Sequence, residues 1–321
     1  MLRRLKRTKE AEKVNKLVVS SSPHIHTPND TRRIMLDVII ALLPTIIAGC
    51  VIFGLRALAV VAVCSLSSIV AEFLFNVIVK KEQTIFDFSA AVTGVILALN
   101  LRADAPIWQC VIGSVFAIVV VKCLFGGLGC NFANPAATAR VFLLISFADK
   151  LGGGAMPLGV ELSSSSTPLE AMKKGEELPT LFDMFFGIKG GAIGEVCIAA
   201  ILIGFLYLVI RKVIHFETPI VFVATVFALS LIADNSFTVA TYQIMSGGLM
   251  FAAVFMATDY VTTPITRSGK MIFAFGCGLI TFLIRKFGGY PEGVSFSILL
   301  MNILSPYIEK WTAKTPLGGK K

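Results

Sequence analysis

Uninterrupted apolar runs govern what this chain can fold into. Segments such as 35–53 and 107–121 carry at most one charge each. In lipid every backbone N–H and C=O must find its partner inside the protein, which leaves helices or closed barrels. A barrel would show alternating segments of about ten residues, whereas these runs are continuous. The fold class expected is therefore an all-α integral membrane protein. Of the 321 residues, 55% are hydrophobic and 15% charged. Soluble domains carry about 25% charged residues, so folding in water would expose far too much apolar surface.

About ten transmembrane helices are predicted, near 35–54, 57–79, 85–101, 106–124, 134–148, 191–211, 217–234, 238–258, 270–286 and 293–309. Several are close to the short limit of roughly 17 residues and are expected to be broken or tilted. The order is a basic segment 1–33, a first five-span half 34–148, a hydrophilic loop 149–190, a second five-span half 191–309, and a basic tail 310–321. The net charge of +9 gathers in both end segments and in short loops such as Lys80-Lys81, Lys122 and Arg211-Lys212. The loops on the opposite side hold fewer cations, Arg56, Arg102 and Arg285-Lys286. The pattern reads as a cytoplasmic membrane-surface signature, and nucleic acid is excluded as a partner. The bias puts both termini in the cytoplasm and the acidic loop 149–190 outside. No secretory signal is expected, because the first apolar run follows some thirty polar residues and is too long for an h-region.

Sliding the chain by 162 residues aligns Ala90-Ala91-Val92 with Ala252-Ala253-Val254, and Phe125-Gly126-Gly127 with Phe287-Gly288-Gly289. Five spans in each half would make the copies inverted, a plan in which the functional path lies at the repeat interface. The stretches 125–135 and 287–293 are rich in Gly, Asn and Pro and should break the helices they adjoin. Each is read either as a ligand site between half-helices or as a surface loop with close packing.

Charged groups inside a bilayer are costly and usually functional. Asp37, Glu72, Asp87, Arg140, Glu195 and Glu292 fall near predicted span ends, where their heads can reach water. Asp259 is the candidate for an ion path. It stands among Thr258, Thr262, Thr263 and Pro264, oxygen ligands suited to a small hard cation; a helix cap is the competing reading. No metal site is expected: His24 and His26 lack further ligands. The seven cysteines form no C-x-x-C pair and read as small buried hydrophobes. No catalytic constellation is visible, and the serine run 163–166 with Thr167-Pro168 reads on composition as a flexible linker.

Several blocks, in order, resemble the D subunit of the Rnf electron-transport complex, a family that also includes the B subunit of the sodium-translocating NADH:quinone reductase. They include Thr31-Arg32-Arg33 through Asp37, Asn134-Pro135 with Arg140, 255–264 around Asp259, and 287–294. The resemblance covers roughly residues 20–316. It implies FMN joined through its phosphate to a threonine in the pattern D-x-x-[ST]-G-A-T. Here that pattern reads Glu161, Ser164, Ser165, Ser166, Thr167, so Thr167 is the implied acceptor and Ser166 the fallback. Glu replaces Asp, and Ser165-Ser166 replace Gly-Ala. The resemblance also implies a second, non-covalent flavin such as riboflavin, other Rnf subunits and a flavin transferase as partners, and a bacterial or archaeal cytoplasmic membrane. The function implied is that of one component of a larger assembly, incomplete alone, that carries electrons through FMN and contributes to Na⁺ or H⁺ movement. Two other readings compete: a stand-alone small-solute channel built on the repeat without flavin, and a structural membrane anchor.

Overall fold

Thirteen α-helices are found among the described residues of a computed structural model, which are 30–147, 155, 157, 167–176, 178–288 and 292–313. Outside them lie most of the basic segment 1–33, much of the loop 149–190 including Glu161, Ser164 and Ser166, residues 289–291, and the tail from 314. All described residues from Thr31 onward belong to one compact unit.

The first half holds α1 (Thr31–Phe53), α2 (Leu55–Val79), a 3-10 turn (Ile85–Asp87), α3 (Ser89–Leu99), α4 (Ile107–Val115) continuing as a π-helix (Phe116–Cys123), and α5 (Pro135–Ser146). Two short helices follow, α6 (Pro168–Lys174) and α7 (Leu181–Phe186). The second half holds α8 (Ile198–Ile210), α9 (Glu217–Asp234), α10 (Phe237–Met245), α11 (Leu249–Phe255), α12 (Arg267–Phe287) and α13 (Val294–Thr312).

By length and composition α1, α2 and α9 can each cross a membrane alone, and α10 with α11 can cross as a pair bent by 55°. The expected count of ten is not reached by single long helices. Helices α12 and α13 have 21 and 19 residues, but charge at their ends lowers their apolarity. The outward surfaces of α1 and α2 carry Ile47, Val51, Leu66, Val70 and Ile78, while Ser68, Glu72 and Asn76 point inward. Lipid-facing apolar groups around a more polar interior are the arrangement a bilayer selects.

The 162-residue shift extends to whole elements. It carries α1 onto α8, α2 onto α9, α3 onto α11, α4 with its π-segment onto α12, and α5 onto α13. Neighbours repeat as well: α2 packs on α3 and α4 as α9 packs on α11 and α12. Corresponding helices meet across the halves, α1 on α8 and α5 on α13. Gly204 of α8 sits so close to the Ala41 carbonyl of α1 that a Cβ there would collide with it.

Breaks occur where sequence reading missed them. Span 85–101 is interrupted at Phe88 (φ 62°), and span 238–258 at Gly247 and Gly248 (φ 64° and 66°). Span 191–211 turns helical only at Ile198; before that, Gly194 N donates to Leu99 O (2.7 Å) and Ile193 N to Leu101 O (3.0 Å). An apolar run alone cannot reveal that its first residues pair with another segment. The break expected at 125–135 is present, with Gly126, Gly127 and Gly129 all at positive φ.

Candidate functional site

Thr167 begins α6 for a local reason. Its Oγ1 accepts the Glu170 N–H (3.3 Å), while Glu170 Oε2 accepts the Thr167 N–H (3.3 Å). This reciprocal cap, with Pro168 in the first turn, starts the helix. Gly175, at φ 71°, ends it. The segment read as a linker thus gives way to a helix at the residue implied as acceptor. Thr167 is 3% exposed, and Pro168, Leu169 and Ala171 are buried beneath it.

Leu169 seats α6 on the break between α10 and α11. A Cβ on Gly247 would collide with Leu169 Cδ1 and approach Arg285 Nη2 to 2.9 Å. A helix that ends inside protein leaves orphan carbonyls, and two buried cations take those of α10. Arg285 donates to Gln243 O (2.5 Å), Ser246 O (3.0 Å) and Gly247 O (3.2 Å). Lys189 Nζ donates to Met245 O. Lys189 is 1% exposed; burial pulls its ammonium down to about 8, against the opposing pull of the Glu195 carboxylate. Glu195 Oε1 accepts the Ala192 N–H (2.9 Å). Glu195 lines a small cavity with Asn100, Gly248 and Glu292, where the end of α3 meets the start of α11. Arg140 pairs with Glu292 at 3.0 Å and ties α5 to the segment before α13.

A separate cleft of about 820 Å³, counting the part open to solvent, lies among α1, α3, α5 and the segment after α11. Its walls are mostly apolar, with Lys122, Asn131, Asn134 and Asp259 as polar points. Asn134 caps α5 through the Ala136 and Ala137 N–H groups (both 3.1 Å) and donates to Met256 O (3.3 Å). Asp259 Oδ1 accepts the Val261 N–H (3.2 Å) and Oδ2 the Thr262 hydroxyl (3.0 Å). The carboxylate therefore organises its own turn while lining the cleft. Burial raises its carboxyl, opposed by these two donors. Asp259 lines this cleft and Thr167 does not.

The groups expected to reach water at span ends do not all do so. Glu72 and Arg140 are 2% and 3% exposed. Lys122, counted among the cytoplasmic-loop charges, is equally buried: its Nζ holds Glu72 Oε1 (2.9 Å) and Ser89 Oγ (2.6 Å). Arg285, assigned to a loop on the opposite side, lies within α12 and faces inward. Apolar neighbours on both sides of Lys122 were the available signal. Cys64, Cys110, Cys123 and Cys277 are buried and reduced, and among the described residues no cluster of His, Cys, Asp and Glu is suited to a metal.

Comparison with known proteins follows the same path through the chain. Residues 18–318 match the NQR2, RnfD, RnfE family. The D subunit of the Na(+)-translocating ferredoxin:NAD(+) oxidoreductase complex from Acetobacterium woodii is 46% identical over 309 residues, covering 95% of this chain and 96% of that protein. The D subunit of a proton-translocating counterpart from Clostridium ljungdahlii is 37% identical, covering 96% and 98%. The D subunit of an ion-translocating oxidoreductase complex from Escherichia coli is 33% identical, covering 94% and 99%. This chain belongs to the NQR2, RnfD, RnfE family.

Proposed function

We propose that this chain is the D subunit of an ion-translocating ferredoxin:NAD⁺ oxidoreductase complex in a prokaryotic cytoplasmic membrane. It carries FMN as a phosphoester on Thr167 and contributes part of a path for Na⁺ or H⁺. The relatives' names and near-complete coverage support the complex. The observation that carries the residue-level reading is the seat of Thr167 at the head of α6, the helix whose Leu169 packs against the break at Gly247. Bound FMN supplies one- and two-electron redox chemistry.

The chain's own residues do the rest. Thr167 provides the hydroxyl and, through its cap, fixes where the helix begins. A cleft lined by Leu169, Met172 and Lys173 opens on the same helix and supports the reading. Leu169 connects α6 to Gly247, and Gly248 adjoins Glu195 in the next cavity. The redox loop and the broken helix are thus one contact apart. The cleft beside Asn131, Asn134 and Asp259 is where we place a second, non-covalent flavin such as riboflavin. Other Rnf subunits supply the nicotinamide and ferredoxin chemistry, and a flavin transferase makes the ester. Both termini face the cytoplasm and the loop 149–190 faces outward.

The test is flavin fluorescence on a denaturing gel of the native complex. A fluorescent band lost in Thr167→Ala and kept in Ser166→Ala supports the assignment. A dark band from cells containing the transferase favours the flavin-free channel. For the ion path, Asp259→Asn should keep the fluorescent band while ion movement per electron falls. Unchanged Na⁺- or H⁺-linked turnover removes Asp259 from that role.

A further inference from the structure

The cleft that α6 covers has chemistry of its own. It measures about 800 Å³, counting the part open to solvent, within the size range of small-molecule pockets. Leu169 and Met172 of α6, Val239 of α10 and Phe282 of α12 supply apolar walls. Among the described lining residues Lys173, Arg285 and Lys286 accompany one carboxylate, Asp234, which pairs with Lys286, while Glu195 and Glu292 act on Arg285 from the next cavity. Arg285 is 4% exposed and its Nε keeps no acceptor among the described residues. Buried donors are seldom left over in a finished site. Gln243 adds a side-chain amide. An apolar slot edged by an amide and surplus positive charge suits a flat aromatic ring with one hydrogen-bonding, electron-accepting edge.

We propose that this cleft holds the isoalloxazine ring of the nucleotide carried on Thr167, and that its cations set the potential of that flavin. The proposal rests on the attachment proposed above. Reach is consistent: Met172 lies about 7–8 Å along the helix from Thr167 at 1.5 Å per residue, a span the ribityl-phosphate arm covers. The ring's faces lie against Met172 and Phe282. Its pyrimidine edge turns toward Gln243 and the cations. Reduction adds electron density at that edge, so positive charge beside it favours the reduced form and raises the potential.

Lys173 is the residue to change, because it is exposed and, among the described residues, its one hydrogen bond is to the Gly288 carbonyl (3.1 Å). In the purified complex, Lys173→Glu should lower the reduced-to-oxidised ratio of the gel-retained flavin about tenfold at a fixed ambient potential. That corresponds to about 30 mV for a two-electron couple. Lys173→Gln should shift it in the same direction by less. Lys81→Glu, an exposed lysine that does not line the cleft, should leave it in place. Fluorescence still present on the gel with a potential unmoved by Lys173→Glu would show that the ring sits elsewhere. An unmodified mass for the Thr167 peptide of the native complex would instead overturn the attachment, and the cleft assignment with it.

Discussion

The two halves solve the same problem at their broken helices in different ways. In the first half, Glu72 of α2 pairs with Lys122 at 2.9 Å, with both side chains only 3% exposed. In the second, 162 positions on, Asp234 of α9 pairs with Lys286, with side chains 22% and 42% exposed. The work of holding the break is divided accordingly. Lys122 also grips Ser89, the first residue of α3, just after Phe88 turns left-handed. In the second half the neighbouring Arg285 does this at Gly247, while Lys286 stays at the surface. At its break the first half buries a cation with its counter-ion; the second buries a cation against carbonyls and leaves its ion pair in the open. Leu169, Met172 and Lys173 of α6 line the same cleft as that open pair.

The contrast breaks most sharply at Lys122. Removing one partner of a buried pair strands the other, at about 3–5 kcal/mol. Lys122→Met should therefore cause the largest loss of thermal stability in the detergent-solubilised complex. The double change Lys122→Met with Glu72→Met should be milder, because no charge is left uncompensated. Equal losses in the single and double variants would mean that the pair is not energetically coupled.

Much of this architecture was readable in the sequence because membrane helices announce themselves by continuous apolarity. The 162-residue shift, suggested by two triplets, proved to extend to whole elements and to the acidic positions Glu72 and Asp234. What escaped was everything decided by contact between distant segments. Phe88 breaks a span with no glycine or proline to mark it. Ile193 reads as one more apolar residue of a span, yet its amide pairs with Leu101 across the molecule. Lys122 looked like a loop charge because local sequence cannot say which side of a helix faces a carboxylate fifty residues earlier. Thr167 stood out only through its family pattern, since a serine run followed by Thr-Pro does not by itself separate a linker from a capped helix.

The next effect in size concerns the break beneath α6. Gly247 combines a positive φ with Leu169 and Arg285 at its would-be Cβ. Strain of this kind costs about 1–3 kcal/mol, and a β-branched side chain belongs at the upper end. Gly247→Val should lower the melting temperature. By lifting Leu169 it should also weaken protection of α6 from limited proteolysis. Gly175→Ala, also at positive φ but with open space around it, should cost less and leave α6 in its seat. Thr167→Ala removes the cap at about 0.5–2 kcal/mol and, on the attachment proposed above, the flavin with it, while Thr167→Ser keeps the cap. A serine variant with wild-type stability and a retained gel band would separate the structural from the chemical role of the hydroxyl.

The smallest effect is expected at the more exposed of the two ion pairs. A surface salt bridge contributes about 0–1 kcal/mol and is screened by salt. Lys286→Met leaves Asp234 where water can still solvate it, so the melting temperature should barely move. Whatever shift appears should shrink as ionic strength rises, whereas the Lys122→Met loss should persist in high salt because its partner is shielded from solvent. Measuring both variants across a salt series therefore tests the comparison directly. If Lys286→Met proved as damaging as Lys122→Met, the second half would depend on its surface pair to hold the break, and Arg285 would share that role with Lys286.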